Sequence, residues 1–423
     1  MLELTAIREQ RAELINRLSK RGLSVESTLN QIIQLDDERK SNQHIIDNTL
    51  AELNKLSKEI GKLMQGGDKA GAEALKQTVA SLKESIKDTE ARQEVVAGEI
   101  RQLLYTIPNA PVHEVPQGRS AADNHTVYEN ALPVTLPEGA LPHWELAKKY
   151  DLIDFELGVK ITGAGFPVYK GKGARLQRAL IQYFLDQADQ AGYTEIIPPL
   201  MVNEDSGIGT GQLPDKEGQM YYVGADDLYL IPTAEVPITN IYRDVILKEA
   251  DFPIKLAGYT PCFRREAGSY GKDVRGLNRL HQFDKVEIVQ IEHPQRSMQT
   301  LDHMVNHVKK LLDSLNLPYR VLLLCGGDMG FASAITYDLE VFSAAQEKWL
   351  EVSSVSNFEA FQANRLKLRF KDADGKTQLA HTLNGSALAL PRILAALLEN
   401  NQTPNGILVP EVLHSYTGFK TID

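Results

Sequence analysis

Between Val25 and Leu103 apolar residues recur on an alternating three- and four-residue spacing. They fall first at Leu29, Ile32, Ile46, Leu50, Leu53 and Ile60, then at Leu75, Val79, Leu82, Ile86, Val96, Ile100 and Leu103. A stripe of that period is the seam of a long amphipathic helix. Two stripes separated by Gly66-Gly67-Asp68 predict two helices folded back as an antiparallel pair. At 1.5 Å per residue each spans roughly 60 Å. Polar residues interrupt both seams, Arg39 and Gln43 on one helix and Thr89 and Gln93 on the other. A reversal near Gly67 sets residue 43 opposite about residue 90, so the polar positions meet and help hold the register. Ahead of the pair, Ile7, Leu14 and Leu18 predict one short helix ending at Gly22.

Beyond the arm the period is lost. Pro108, Pro111, Pro116, Pro133 and Pro137 mark residues 106–140 as a linker and the edge of a second region. From His143 helix and strand signals alternate. TEIIPPL, Thr194 to Leu200, reads as a strand stopped by two prolines, and PTAEVPITN, from Pro232, as a turn-like start. Tyr259 to Val289 reads as two strands joined by a long loop, interrupted at Arg264, Gly268, Gly271 and Gly276. A helix near Pro294 to Leu315 and a strand at Tyr319 to Leu324 follow, and from His381 a strand, a small-residue turn and a helix.

Composition adds mainly exclusions. The 423 residues, 43% apolar and 24% charged, suit two or three globular domains. No run approaches the roughly 18 apolar residues of a membrane span, and the charged start MLELTAIREQ is unlike a signal peptide; a soluble, cytoplasmic protein is expected. Cys262 and Cys325 stand far apart without metal-ligand spacing. A net charge of −10 argues against binding nucleic acid through bulk charge, so any RNA contact must be local. Lys55, Lys58, Lys62, Lys69, Lys76, Lys83 and Lys87 gather toward the arm's tip, among at least as many acidic residues, which by itself describes a solvated face.

The candidate chemistry centres on the hairpin. Arg264, Glu266, Phe283 and Glu287 put a guanidinium, two carboxylates and a ring on its inner positions, a set suited to a nucleotide's phosphates and base, although Arg264 and Glu266 alone also fit a surface ion pair. FRREAG, RGL and HQFDKVE together resemble the second signature motif of class II aminoacyl-tRNA synthetases in the form found in seryl-tRNA synthetase. TEIIPPL resembles the first motif, which builds the dimer interface, and HTLNGSALALPRILAALLENNQ the third.

The resemblance implies an α+β fold: an N-terminal two-helix coiled-coil arm at 1–105 that grips tRNA, a linker at 106–140, and at 141–423 a catalytic domain built on an antiparallel sheet flanked by helices. It implies activation of L-serine by ATP, with Mg2+, and transfer of the seryl group to serine-accepting tRNA by a homodimer; whether selenocysteine tRNA is also charged is left open. Arg264 is assigned to the α-phosphate and Arg392 to the departing pyrophosphate, with Phe283 against adenine opposite Arg392. Glu266 accepts from the adenine amino group or orders the loop, and Arg265 and Glu351, Val352, Ser353 and Ser354 complete the ATP contacts. Glu351 and Ser354 are the expected Mg2+ ligands, against an alternative in which Ser354 caps a helix. Thr233, Ala234 and Glu235 line the serine pocket, with Thr233 and Glu235 the candidates for the ammonium and Glu287 and Ser386 for the hydroxyl. Pro391 stands where the family commonly has glycine, which is expected to displace Arg392 or delay the helix.

Overall fold

The computed structural model describes residues 1–130, 132–215, 218–266 and 275–423. The tip of the central hairpin and two residues of the loop after Pro214 lie outside it. The chain divides into two compact units, one of Leu2–Asn16 with Leu23–Pro108, the other of Met1, Arg17–Gly22 and Asn109–Asp423.

In the smaller unit the seam folds as its period requires. Helices Glu26–Gln65 and Lys69–Thr106 pack antiparallel, burying Leu29, Ile32, Ile46 and Leu53 against Ile86, Val96, Ile100 and Leu104. The reversal uses Gly67 at φ 81° and the Asp68 carboxylate, which accepts from the Gly71 N–H at 2.9 Å as an N-cap. Of the predicted polar positions Gln43 and Gln93 meet, Gln93 Nε2 donating to Gln43 Oε1 at 2.7 Å, whereas Arg39 pairs with Asp36 and Thr89 Oγ1 donates to Ser85 O within their own helices; Arg92 forks across onto Glu38 at 2.6 and 3.0 Å. The N-terminal helix is two pieces, Leu4–Glu9 and Arg11–Ser19, broken at Gln10. Periodicity alone does not register that break, because Ile7 and Leu14 keep the same face on either side of it. Residues Arg17–Gly22 belong to the larger unit, where Arg17 Nε donates to Pro111 O at 2.8 Å and Arg21 Nε to Asn109 O at 2.8 Å.

The larger unit is built on one sheet. Its strands are β1 (His125–Glu129), β2 (Thr194–Glu195), β3 (Ile254–Phe263), β4 (Gln282–Glu292), β5 (Tyr319–Leu323), β6 (Ile335–Ser343), β7 (Lys348–Asn357) and β8 (His381–Ala389), in the order β1-β5-β6-β7-β8-β4-β3-β2. Every pairing is antiparallel except β2 with β3. Helices Gly171–Gln190, Ser297–Ser314 and Leu390–Asn400 bury Leu180, Phe184, Met304, Val308, Ile393 and Leu397 in one core with Val286, Ile288, Leu339 and Val355 of the sheet. A strand alternates its side chains, so Lys285, Glu287 and Val289 of β4 face away from that core, while Phe283 at the start of the strand packs partly against it. That second face carries the candidate site.

PTAEVPITN opens, as expected, on a bend and turn over residues 232–234, from which Glu235 begins the helix Glu235–Asn240. Two other local expectations are corrected. The stretch from Glu351 is the middle of β7, so Ser354 caps no helix. Strand β8 passes directly into the helix Leu390–Asn400, with Pro391 in its first turn, where the missing N–H has no intrahelical carbonyl to lose. No helix among the described residues is long and apolar enough to cross a membrane.

Candidate active site

Strands β3 and β4 hold the site because their register is unbroken from Phe263 opposite Gln282 to Ile254 opposite Ile291. On β4 Phe283, Lys285 and Glu287, at alternate positions, therefore follow one another in a row, and β8 sets Ser386 directly opposite Glu287. Arg264, one residue past β3, lays its guanidinium over the Phe283 ring at 5.2 Å and donates from Nε to Pro232 O at 3.2 Å. That last bond ties the hairpin to the segment carrying Thr233, Ala234 and Glu235.

These residues meet in a buried polar cluster. Thr233, Glu235, Lys285, Glu287 and Ser386 are all buried. Lys285, which sequence reasoning passed over, pairs with Glu287 through Nζ and donates to Thr233 Oγ1 at 3.0 Å. Thr233 Oγ1 in turn donates to Glu287 Oε2 at 3.2 Å and accepts from the Glu235 N–H at 3.2 Å. The Thr233 hydroxyl is thus fully used in joining Lys285, Glu287 and the start of the Glu235 helix. The signal for Lys285 was its place two residues before Glu287, on the same strand face. Glu235 is different. Burial, reinforced by the Glu287 charge, pushes its carboxyl up to about 7, with Gln362, Lys285 and Arg264 opposing the rise. Lys285 balances Glu287, so ionised Glu235 leaves the cluster with one uncompensated negative charge, the complement of an ammonium.

The second group of predicted residues lies on β7. The β6–β7 register slips between Leu339 and Glu340: Leu339 faces Ser353 and Glu340 faces Glu351, leaving Val352 as an extra residue. This bulge explains the three-residue spacing. On a regular strand residues three apart point to opposite faces, whereas one bulged residue returns Glu351 and Ser354 to the same face. Val352 and Ser353 are buried, and Ser353 Oγ donates to Ser386 O at 2.6 Å, linking β7 to the buried polar cluster. Asp338 stands opposite Ser354, and its Oδ1 is buried without a partner among the described residues. Burial and the Glu351 charge hold the Asp338 carboxyl well above the usual carboxylate range. Two close carboxyl groups, one of them with an unpartnered buried oxygen, and a hydroxyl are an oxygen-donor set that fits a hard divalent cation such as Mg2+.

Arg392 approaches from the third motif. Its Nη1 donates to Glu351 O at 2.7 Å and lies 3.6 Å from Glu351 Oε2, while Nε donates to Asn278 O at 3.0 Å. Glu266, at φ 47°, is engaged by Arg279, and Arg265 is exposed with its N–H on Gln219 O at 2.8 Å. The hairpin's return is anchored by residues the sequence reading did not single out. The Leu277 N–H donates to His143 Nε2 at 2.8 Å, so His143 carries its proton on Nδ1 and donates it to Glu399 Oε1 at 2.7 Å. Asn278 Nδ2 donates to Gln346 Oε1 at 2.9 Å, and Gln346 Nε2 to Glu399 Oε1 at 2.9 Å. Gly276, at φ 67°, lets the backbone pass: a Cβ there would meet His143 Nε2 at 2.2 Å.

Residues 1–111 match the seryl-tRNA synthetase N-terminal domain, and residues 221–401 match the tRNA synthetase class II core domain (G, H, P, S and T). The chain is 49% identical to a serine–tRNA ligase of Salinibacter ruber, over 100% of this chain and 99% of the relative. The chain belongs to the seryl-tRNA synthetase family. It is equally similar in length to a serine–tRNA ligase of Chlorobaculum parvum, at 46% identity over 100% of both chains. Among solved structures, it resembles seryl-tRNA synthetase from Pyrococcus horikoshii complexed with ATP, with a TM-score of 0.93 and 34% identity, covering 100% of this chain and 99% of that one. A cytoplasmic serine–tRNA ligase from Naegleria fowleri in complex with AMP gives a TM-score of 0.88 at 27% identity, covering 100% of this chain and 99% of that one. As a seryl-tRNA synthetase the chain is an α+β ligase of class II, with a helical arm and a catalytic sheet.

Proposed function

We propose that this family member activates L-serine with ATP and passes the seryl group to the 3′-terminal adenosine of serine-accepting tRNA. In the first step a serine carboxylate oxygen attacks the α-phosphorus. The bond to the bridging oxygen breaks, pyrophosphate leaves with that electron pair, and seryl-adenylate remains. The step is accelerated by holding both reactants in line and by neutralising charge on the phosphoryl oxygens. Arg264 is assigned to the α-phosphate, with Phe283 beneath it for the adenine, and Arg392 to the pyrophosphate. Arg265 and Glu266 are the flanking ATP contacts, Glu266 acting through Arg279 to order the loop. Glu351 and Ser354, with Val352 and Ser353 holding the bulge, would hold Mg2+, which when bound neutralises phosphate charge.

The observation that carries the reading is the buried, singly negative cluster beside Arg264. Glu235 takes the serine ammonium, while Glu287 and Ser386, opposite one another across β4 and β8, take the hydroxyl. Thr233 and Ala234 shape the wall. Such a pocket rejects alanine because its buried polar groups are left unpaired. In the second step the ribose hydroxyl of the tRNA attacks the adenylate carbonyl and AMP departs. The arm at 1–105 is assigned to the tRNA, the linker to 106–140 and the chemistry to 141–423. A homodimer and a cytoplasmic location complete the proposal.

Serine-dependent pyrophosphate exchange, with threonine and alanine as controls, tests it. Serine is expected to support exchange and the controls to fail; threonine as effective as serine refutes the assignment. Arg264→Ala is expected to lose exchange by at least ~100-fold while remaining folded.

A further inference from the structure

The helix Phe361–Leu366 reaches the cluster assigned to serine through one side chain. Gln362 is buried, and its Nε2 donates to Glu235 Oε1 at 2.6 Å and to Thr210 O at 3.0 Å. Its Oε1 accepts from the buried Thr382 hydroxyl at 2.7 Å. The amide orientation is forced: turning it over would set Oε1 against the Thr210 carbonyl and the Glu235 carboxylate, two groups that only accept. One turn further, Arg365 Nη1 donates to Ile208 O and Leu213 O, each at 3.1 Å. The helix therefore grips the carbonyls of residues 208, 210 and 213 together. It lies so close that a Cβ on Gly209 would meet Leu366 Cδ2 at 2.5 Å.

We propose that Gln362, oriented by Thr382, is a positioning residue for the amino-acid ammonium: it anchors Glu235 by one carboxylate oxygen and leaves Oε2 for the substrate. The inference rests on the assignment of Glu235 to the ammonium. Within the described residues Glu235 Oε1 has Gln362 as its side-chain partner, and Oε2 has none. The charged groups bearing on Glu235 are Glu287, which disfavours its ionisation, and Lys285 and Arg264, which favour it; Gln362 acts with the latter two. A neutral donor suits the task because it holds the carboxylate without cancelling the charge an ammonium needs. A lysine or arginine at this place would neutralise the cluster and remove the attraction.

Gln362→Met keeps the volume and removes the donor. Its KM for serine in pyrophosphate exchange is expected to rise about 10- to 100-fold, as for loss of a hydrogen bond to a charged group. The KM for ATP is expected to stay within about twofold, since no ATP contact is touched. The acid limb of kcat/KM for serine is expected to move to higher pH, because Glu235 loses a donor to its ionised form. A structural defect would instead raise both KM values together and leave the acid limb in place, and that result overturns the proposal. Thr382→Val, which keeps Gln362 but removes the hydroxyl that holds its Oε1, is expected to shift the serine KM in the same direction by a smaller factor. Should Gln362→Met not fold, that variant decides by the same criteria. Glu235→Gln separates the two failures. An unchanged serine KM there overturns the ammonium role itself, whereas a lost serine response beside an unaffected Gln362→Met overturns only the positioning role.

Discussion

A carboxyl group kept from water among other charges weakens the fold that holds it, and Glu235 is such a group. Its ordinary value of 4.5 is pushed up to about 7 by burial and by Glu287. Between those values the folded chain retains a proton that the unfolded chain has released. Stability therefore falls as pH rises through that window and is level above it, by about 3 kcal/mol in all. Glu235→Gln removes the effect. Denaturant midpoints are expected to show the variant gaining about 3 kcal/mol relative to wild type at pH 8 over its difference at pH 5. An equal difference at both values would mean the carboxylate is not buried among like charge. Sequence reasoning reached Thr233, Glu235, Glu287 and Ser386 through their motifs but passed over Lys285 and Gln362. Lys285 reads as an ordinary strand lysine until its pairing with Glu287 is seen, and Gln362 lies 127 residues from Glu235. No local pattern announces a partner that distant.

At the scale of elements, the long helices were readable because a seam of one apolar residue every three or four positions has no other stable use. The polar pairs Gln43–Gln93 and Glu38–Arg92 hold its register with partly exposed hydrogen bonds, which cost little stability and penalise a slipped pairing. The lysines toward the tip, Lys55, Lys58, Lys62, Lys69, Lys83 and Lys87, are exposed, and Lys76 pairs with Glu73 at 3.0 Å. Such a rod is suited to phosphate and sugar contacts more than to base reading. Deleting residues 30–100 is expected to leave serine-dependent exchange near wild type while tRNA charging collapses; charging that survives would refute the arm's role. The β7 bulge was not readable in this way. EVSS does not reveal that Val352 is extra, since only pairing with β6 decides which strand residue goes unmatched.

At the scale of the whole molecule, the larger unit leaves apolar surface uncovered near its first motif. Ile197, between Glu195 and the two prolines, is 87% exposed, and Leu200 and Met201 are partly exposed beside it in sequence. Apolar surface of this kind marks an interaction site, and for a self-complementary interface a second copy of the chain is the natural cover. Ile197→Glu buries a charge in any such interface. If the proposed homodimer forms through this surface, wild type is expected to sediment as a dimer and the variant as a monomer, with serine-dependent exchange reduced in parallel. An unchanged dimer would move the interface elsewhere.

Taken along the chain, amino-acid order determined the helical arm, the two-stranded hairpin, and which arginines and carboxylates are proposed to carry the chemistry. Those features depend on periodicity and side-chain type, which are local and survive without knowledge of what lies opposite. Tertiary structure alone decided that Lys285 neutralises Glu287, that Val352 bulges to bring Glu351 and Ser354 onto one face, and that Gln362 steadies Glu235. Each of these depends on which strand or helix comes to lie alongside, and pairing between distant segments is set by the packing of the whole sheet.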